Sequence, residues 1–254
     1  MKKKILLTAC FLINMHLSAA SITLSDLRCE NLINPTGIDN MTPHFSWKIH
    51  TGNPMQQKYY EIQVASDSLE LTIDKADLWN SSKTQSPASV MVPYKGQALK
   101  SRQLCYWRVR IWNEKDETSG WSTIQRFGIG IQESDKFHGD YIGLATGNGD
   151  VRSPLLRKTF TTDVSGTTFL HVSSLGYHEV YINGIKAGAQ VLSPAVSQLD
   201  KRSLIVTYDV TPYLNKGENE LVLWLGQGWY KKTTFGADYE GPLVKASFSS
   251  IPPS

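Results

Sequence analysis

Hydrophobic and polar residues alternate in short runs along most of the chain, which is the pattern of β-strands with one buried face. In the first half, HFSWKI places Phe45, Trp47 and Ile49 on one face, and CYWRVRIWN repeats the same period. Stretches rich in Gly, Pro, Asn and Ser separate these runs. About seven short strands between residues 23 and 131 therefore predict one antiparallel β-sandwich.

The second half is organised around the segment GYHEVYINGIKAG. Val180 and Ile182 alternate there with polar positions, and Asn183-Gly184 supplies two residues that tolerate positive φ, so a β-hairpin is expected. Strand-like runs also surround this segment, namely FLHVSSLG, SLIVTYDVT and ELVLWLGQGWY. The sequence thus predicts an all-β chain of two antiparallel β-sandwiches in tandem, residues 23–131 and 138–254.

The N-terminus has the features of an export signal. Three lysines at positions 2–4 precede an apolar run from Ile5 to Leu17, and Ser18-Ala19-Ala20 forms a small-residue cleavage site. We expect residues 1–20 to be a signal peptide cleaved near Ser21. Since the run is too short for a comfortable membrane span, no transmembrane anchor is predicted. The expected localisation is periplasmic or extracellular.

The charge of the remaining chain is balanced. Removing the three lysines of the leader from the 26 basic residues leaves 23, against 23 acidic residues. This neutrality argues against nucleic acid or an anionic membrane surface as the main partner.

Two cysteines remain after the leader is removed, Cys29 and Cys105. In an oxidising compartment they could form a disulfide bond. Each also occupies an apolar position of a strand pattern, so the favoured interpretation is two buried thiols.

Motifs for catalysis are missing from the sequence. It has no HExxH zinc motif, no GxSxG nucleophile elbow, no phosphate-binding loop and no CxxC pair. Glycoside hydrolysis needs two carboxyl groups at a set separation, and 23 acidic residues single out no such pair. His171 and His178, both within strands, are predicted to lie at the edge of the core and on the surface, respectively. We therefore assign no catalytic residue.

The segment GQGWY is the strongest candidate for ligand binding. It ends a strand, and its glycines allow a ligand to approach the backbone. Trp229 and Tyr230 could stack on a sugar, and Asp238, Tyr239 and Glu240 follow closely. The favoured interpretation is nevertheless a loop that packs against another protein domain, because exposed aromatic residues also mark interfaces.

Several segments resemble a known enzyme family. NPTGIDNMTPHFSWKI, LWNSSK, and YWRVRIWN followed by GWS resemble the fibronectin type III-like module that opens bacterial α-L-rhamnosidases of glycoside hydrolase family 78. LGYHEVYINGIKAG, the stretch from Leu192 to Tyr230, and EGPLVKA resemble the jelly-roll N-terminal module that follows it in those enzymes.

This resemblance implies a function for the chain. The full-length enzymes hydrolyse terminal α-L-rhamnosides, and their catalytic acid and base belong to a helical barrel that should follow. The resemblance implies that the second sandwich here stops before its last strands and that the barrel is absent. The chain is therefore expected to be an accessory fragment, non-catalytic on its own, that supports the barrel.

Two alternatives to the support role stay open. The chain could be a stand-alone carbohydrate-binding module for rhamnose or rhamnosides, and some relatives are similar to a calcium-dependent rhamnose-binding module. Calcium is implied by this resemblance alone. The chain could instead be an interaction module that docks a separately encoded catalytic barrel through an open sheet edge.

Overall fold

The computed structural model describes residues 21–133, 135, 137, 139–144, 153–163, 165–199, 201–228, 230 and 242–252. The predicted leader lies outside these residues. The described chain is almost entirely antiparallel β-structure, which confirms the predicted fold class. None of the described helices is long and apolar enough to cross a membrane.

Eight strands and one short helix build the first sandwich. One sheet has the order β1-β2-β6; in the other, β4-β3-β7-β8 are joined by β5, which also pairs with β3. The five-residue helix α1 follows β3 in the chain. The elements are β1 (Thr23–Cys29), β2 (His44–His50), β3 (Gln57–Ala65), α1 (Ser68–Thr72), β4 (Trp79–Asn80), β5 (Thr84–Gln85), β6 (Val92–Pro93), β7 (Leu104–Asn113) and β8 (Gln125–Gly128).

Among the described residues, seven strands build the second sandwich, with sheets of order β12-β11-β14-β9 and β13-β10-β15. A single 3₁₀ turn, η1, follows β13. The elements are β9 (Leu155–Thr162), β10 (Thr167–Leu175), β11 (Tyr177–Ile182), β12 (Ile185–Lys186), β13 (Ile205–Asp209), η1 (Thr211–Tyr213), β14 (Gly217–Gly226) and β15 (Leu243–Ile251).

Each sandwich has its own hydrophobic core, built from the inward positions of the alternating runs. In the first, Phe45 is fully buried, and its ring centroid lies 4.5 Å from that of Trp107 and 5.7 Å from that of Phe127. In the second, the core joins Leu170 and Val172 of β10 to apolar residues of the facing sheet. The period-2 pattern thus selected the buried face correctly in both halves.

The predicted hairpin forms as expected. Ile182 pairs with Ile185, so Asn183 and Gly184 are the two loop residues, with φ angles of 51° and 78°. Positive φ at both positions is the geometry of the turn that matches the twist of antiparallel strands. The Asn183 side chain also accepts a hydrogen bond of 2.9 Å from the backbone N–H of Glu220, which ties the turn to β14.

Strand β15 begins within the segment GPLVKA and lies at an edge of its sheet. It pairs with β10 along its whole length, from Leu243 to Ile251. On its other side, Val244 exchanges two backbone hydrogen bonds of 2.9 Å with Ile142, the isolated bridge that the described residues place there.

The structure corrects the placement of the two strand histidines. His171 is 1% exposed and His178 is 3% exposed, so the surface position expected for His178 is wrong. His178 stands in phase with Val180 and Ile182, and the alternation of β11 turns all three toward the core.

Candidate functional site

One of the five predicted sugar-binding residues lies within the described structure. Tyr230 is partly buried, and its backbone N–H donates to the Gln227 carbonyl at 3.2 Å. The turn before it is closely packed, because a Cβ at Gly228 would lie 3.1 Å from the ring of Tyr177. The other predicted residues, Trp229, Asp238, Tyr239 and Glu240, lie outside the described residues.

Both cysteines are buried and free in the structure, which contains the two buried thiols that the strand pattern favoured. Burial raises the pKa of the Cys105 thiol to about 12, and it raises the pKa of Cys29 further. Thiols of this kind are protonated at neutral pH and react slowly. The disulfide between Cys29 and Cys105 is absent from this structure.

Two partly exposed tryptophans of the first sandwich, Trp112 and Trp121, pack against arginines. The guanidinium carbons of Arg108 and Arg110 lie 4.1 and 4.2 Å from the Trp121 ring centroid, and Arg110 also lies 5.0 Å from the Trp112 centroid. These cation–π contacts occupy the ring faces that a sugar would need. The structure therefore favours packing over ligand binding at Trp112 and Trp121.

The two sandwiches meet through polar contacts in a region that we call the domain junction. The Thr36 hydroxyl donates to the Thr207 carbonyl at 2.9 Å. The Arg126 guanidinium pairs with the Asp209 carboxylate at 2.7 Å. Gly37, with φ of +74°, approaches so closely that a Cβ there would lie 2.5 Å from Thr207 Oγ1. Turn and strand residues of both sandwiches thus contact directly.

A buried histidine lies directly behind this contact. His171 Nδ1 is 2.9 Å from Thr207 Oγ1, and its Nε2 is 2.8 Å from Ser249 Oγ, so the ring bridges β13 and β15. Burial is the main cause that lowers the pKa of His171 to about 4, with a further contribution from the Arg102 charge. The imidazole is therefore neutral at pH 7, with one nitrogen donating and the other accepting.

The segment between the sandwiches is also tied to the second one. The Tyr141 hydroxyl is 2.8 Å from Ser173 Oγ and 2.9 Å from Ser203 Oγ. On the first sandwich, the Asp135 carboxylate accepts from Arg102 at 2.7 Å and from Ser101 at 2.8 Å. These bonds oppose free rotation of one sandwich against the other.

A cleft of about 960 Å³ opens beside the domain junction. Charged residues of both signs from both sandwiches line it, including Asp39, Lys100, Glu133 and Arg202. No group of three or more His, Cys, Asp or Glu side chains within the described part of the chain is arranged to hold a metal ion. The cleft offers hydrogen bonds and charge, and none of the described residues that line it carries an aromatic ring for stacking.

Sequence reasoning did not find the domain junction. Gly37 lies in the motif NPTGIDN, and the sequence gives no sign that a threonine 170 positions later contacts it. Within its own sandwich, the Asp209 side chain accepts a hydrogen bond from the Thr211 backbone N–H at 3.1 Å. Its second role, the ion pair with Arg126, depends on how the two sandwiches are placed.

Comparison with protein families gives two matches in succession. Residues 24–133 match the family model described as the Rha78A-like N-terminal immunoglobulin domain. Residues 164–245 match the α-L-rhamnosidase N-terminal domain. The chain carries the N-terminal domains of the α-L-rhamnosidase family. The resemblance inferred from the sequence motifs is therefore confirmed for both sandwiches.

Individual α-L-rhamnosidases are similar over most of the chain. One from Formosa agariphila is 32% identical over 232 residues, covering 85% of this chain and 25% of the relative. One from Alteromonas sp. (strain LOR) is 33% identical over 213 residues, covering 79% of this chain and 23% of the relative. The chain thus spans about a quarter of the length of the curated rhamnosidases that it matches.

Solved rhamnosidase structures share the fold. The α-L-rhamnosidase from Dictyoglumus thermophilum superposes with a TM-score of 0.80 at 27% identity, covering 93% of this chain and 29% of that one. The structure from Aspergillus terreus gives a TM-score of 0.72 at 24% identity, covering 92% and 29%, and shows the fold alone. Because the match spans both sandwiches, the tandem arrangement itself is shared.

Proposed function

We propose that this chain is the accessory N-terminal part of an α-L-rhamnosidase, non-catalytic on its own, and that it supports a catalytic barrel. The domain junction carries this proposal. Three contacts fix one sandwich to the other, namely the Thr36–Thr207 hydrogen bond, the Arg126–Asp209 ion pair and the close approach of Gly37. Two sandwiches held in this way keep a fixed relative orientation, and a further domain can pack against both of them.

The enzyme family supports the proposal as well. The relatives named α-L-rhamnosidase are about four times as long as the matched region, so most of each relative lies outside it.

A fusion experiment tests this function. The chain alone should not hydrolyse a chromogenic α-L-rhamnoside, because the groups for the reaction are expected in the following barrel. The chain should hydrolyse it when joined to the remaining three quarters of the Formosa agariphila relative, at the boundary of the matched region. The intact relative is the positive control, and the relative without its own N-terminal quarter is the negative control. Turnover by the purified chain alone would contradict the proposal.

We further propose that the chain is exported and cleaved near Ser21. The described fold begins immediately after this position, with Ile22 buried in the first core and β1 starting at Thr23. A leader left attached would therefore extend from a strand that is already packed. Expression in a bacterium, followed by N-terminal sequencing of the periplasmic or secreted protein, should give a terminus at or next to Ser21. Intact protein confined to the cytoplasm would contradict export.

A further inference from the structure

The two sheets of the second sandwich differ in what their outer faces contact. The outer face of β13-β10-β15 faces the domain junction through Thr207 and Asp209. The outer face of β12-β11-β14-β9 lies on the opposite side of the core. Among the described residues, its central positions are Tyr177, Glu179 and Trp224, which alternate with core residues of β11 and β14.

Trp224 is the unusual residue of this face. It is 45% exposed, although Leu223 and Leu225 on either side of it are 5% and 0% exposed. Its two cross-strand neighbours are Glu179 of β11 and Leu155 of β9. A large aromatic ring held outward on a central strand, beside a charged group, offers an apolar face that a ligand can cover.

A groove of about 250 Å³ is lined by Trp224. Tyr177, Glu179, Leu192 and Ser153 are also among its lining residues. Its volume is just below the range of about 300–1,000 Å³ that small-molecule pockets occupy. It suits a single small ring rather than a helix or a strand of another protein.

The carboxylate in the groove is held in one orientation. The Tyr181 hydroxyl donates to Glu179 Oε2 at 2.7 Å, and the Lys186 ammonium pairs with Glu179 Oε1. These two partners lower the pKa of Glu179, so the group is ionised at neutral pH. Each carboxylate oxygen has two acceptor sites, which leaves further sites for hydroxyl donors of a ligand.

We propose that this groove binds a neutral sugar ring, with Trp224 stacked on the apolar C–H face of the sugar and Glu179 accepting hydrogen bonds from its hydroxyl groups. A pyranose offers both parts of this chemistry, since its C–H bonds form an apolar face and its hydroxyls lie at the ring edge. The site differs from the GQGWY loop suggested by the sequence, because it consists of side chains on the strands themselves.

The charges on the same face favour a sugar over a protein partner. Glu179 pairs with Lys186, and Arg157 pairs with Glu220 on the adjacent strands. Covering both pairs with an apolar protein surface would remove them from water at a cost that their mutual attraction does not regain. The hydroxyls of a sugar supply replacement hydrogen bonds instead.

Calorimetric titration of the chain with monosaccharides tests the proposal. The probes are L-rhamnose, L-fucose, D-glucose and D-galactose at millimolar concentrations, each with and without calcium. We expect binding of at least one of them, weakened at least about tenfold by Trp224→Ala because the stacking contact is lost. Glu179→Gln should weaken it several-fold. Ile185→Ala is the matched control, since Ile185 is a 56% exposed apolar residue of the same sheet outside the groove.

Thermal unfolding of each variant shows whether it folds, and Trp224→Phe, which keeps a smaller ring, should retain part of the affinity. The absence of heat with every sugar would overturn the proposal. Binding that survives Trp224→Ala and disappears with Trp229→Ala would overturn it too, and would assign the sugar to the GQGWY loop. Neither result affects the proposed support function, which is tested by turnover of the fusion protein and assigns no ligand to this chain.

Discussion

Acidification from neutral pH to about pH 4.5 is expected to unfold the second sandwich while the first sandwich stays folded. The reason is the pair of buried histidines, His171 and His178, both in the second sandwich. Burial is the leading cause that lowers the pKa of each to about 4. Both rings have hydroxyl groups as partners. His171 contacts the hydroxyls of Thr207 and Ser249, and His178 contacts those of Ser174 and Tyr208. Hydroxyls bind a neutral imidazole well and compensate a buried positive charge poorly.

The direction of the effect follows from the lowered pKa values. Above about pH 6.5, the ordinary value of histidine, folded and unfolded chains bind the same number of protons at these sites. As the pH falls below that value, the unfolded chain takes up protons that the folded chain refuses until about pH 4. The free energy of unfolding therefore decreases throughout this window. At pH 4.5 we expect a loss on the order of 2–3 kcal/mol for each histidine.

Carboxylates of the first sandwich lose their contribution at lower pH. Asp26, beside Lys48 and Arg28, and Asp116, beside Lys83, have pKa values below the ordinary 3.8. A carboxyl group whose pKa is lower in the folded chain stabilises the fold at pH values above its unfolded pKa. That contribution is lost only as the pH falls toward the lower pKa of the folded chain. The two sandwiches should therefore respond to acid in different ranges.

Hydrogen exchange at a series of pH values, read by mass spectrometry, separates the two sandwiches. Peptides from β10 and β14 should lose protection as the pH falls from about 6.5 to about 4.5, while peptides from β3 and β7 keep it. The double variant His171→Gln and His178→Gln should show a flatter dependence of stability on pH, whatever its stability at pH 7. Equal loss of protection in both sandwiches would contradict the prediction.

These histidines also show how far the sequence pattern reaches. The alternation in β11 places His178 in phase with Val180 and Ile182, so its burial was available from the pattern. Its polar character favoured the surface position instead. The partners that make burial tolerable, Ser174 Oγ at 2.7 Å and the Tyr208 hydroxyl at 3.0 Å, lie on β10 and β13 of the facing sheet and meet His178 only in the folded sandwich.

Local features of the fold were predictable because they depend on residues that are close together in the sequence. The hairpin at Asn183-Gly184 depends on two adjacent residues that accept positive φ, and strand faces depend on a period of two. The groove at Trp224 was partly visible too, since ELVLWLG places Trp224 out of phase with its leucines. Leu192 and Ser153, which also line the groove, come from distant segments that no local pattern connects to it.

The domain junction is the feature with no local signal, and Gly37→Ala is expected to open it. The new methyl group would lie 2.5 Å from Thr207 Oγ1 and 2.8 Å from Thr207 Cβ. A β-branched side chain in a strand has little rotamer freedom to move away, and Thr207 Oγ1 is also bonded to His171. The first sandwich must therefore shift, which breaks the Thr36–Thr207 hydrogen bond and strains the Arg126–Asp209 pair.

The backbone cost of the substitution can be separated from this collision. Gly37 has φ of +74°, where an alanine costs about 1–2 kcal/mol by itself. Gly120 has φ of +68° in the same sandwich, and a Cβ there would have nothing within 4 Å. Gly120→Ala is thus a matched control for the backbone term alone. The excess destabilisation of Gly37→Ala over this control should be about 1–3 kcal/mol, the usual cost of overpacking.

Opening the junction should be visible as a loss of coupling between the sandwiches. Scanning calorimetry of Gly37→Ala should resolve two unfolding transitions, one for each sandwich. In the unmodified chain and in Gly120→Ala the two transitions should lie closer together, because an intact junction lets each sandwich stabilise the other. Solution X-ray scattering should show a larger radius of gyration for Gly37→Ala only. If both glycine variants lose the same stability and keep the same dimensions, Thr207 tolerates the methyl group and the junction is not tight at this point. If the prediction holds, the same substitution in the active fusion protein would show whether the supported barrel depends on a fixed angle between the two sandwiches.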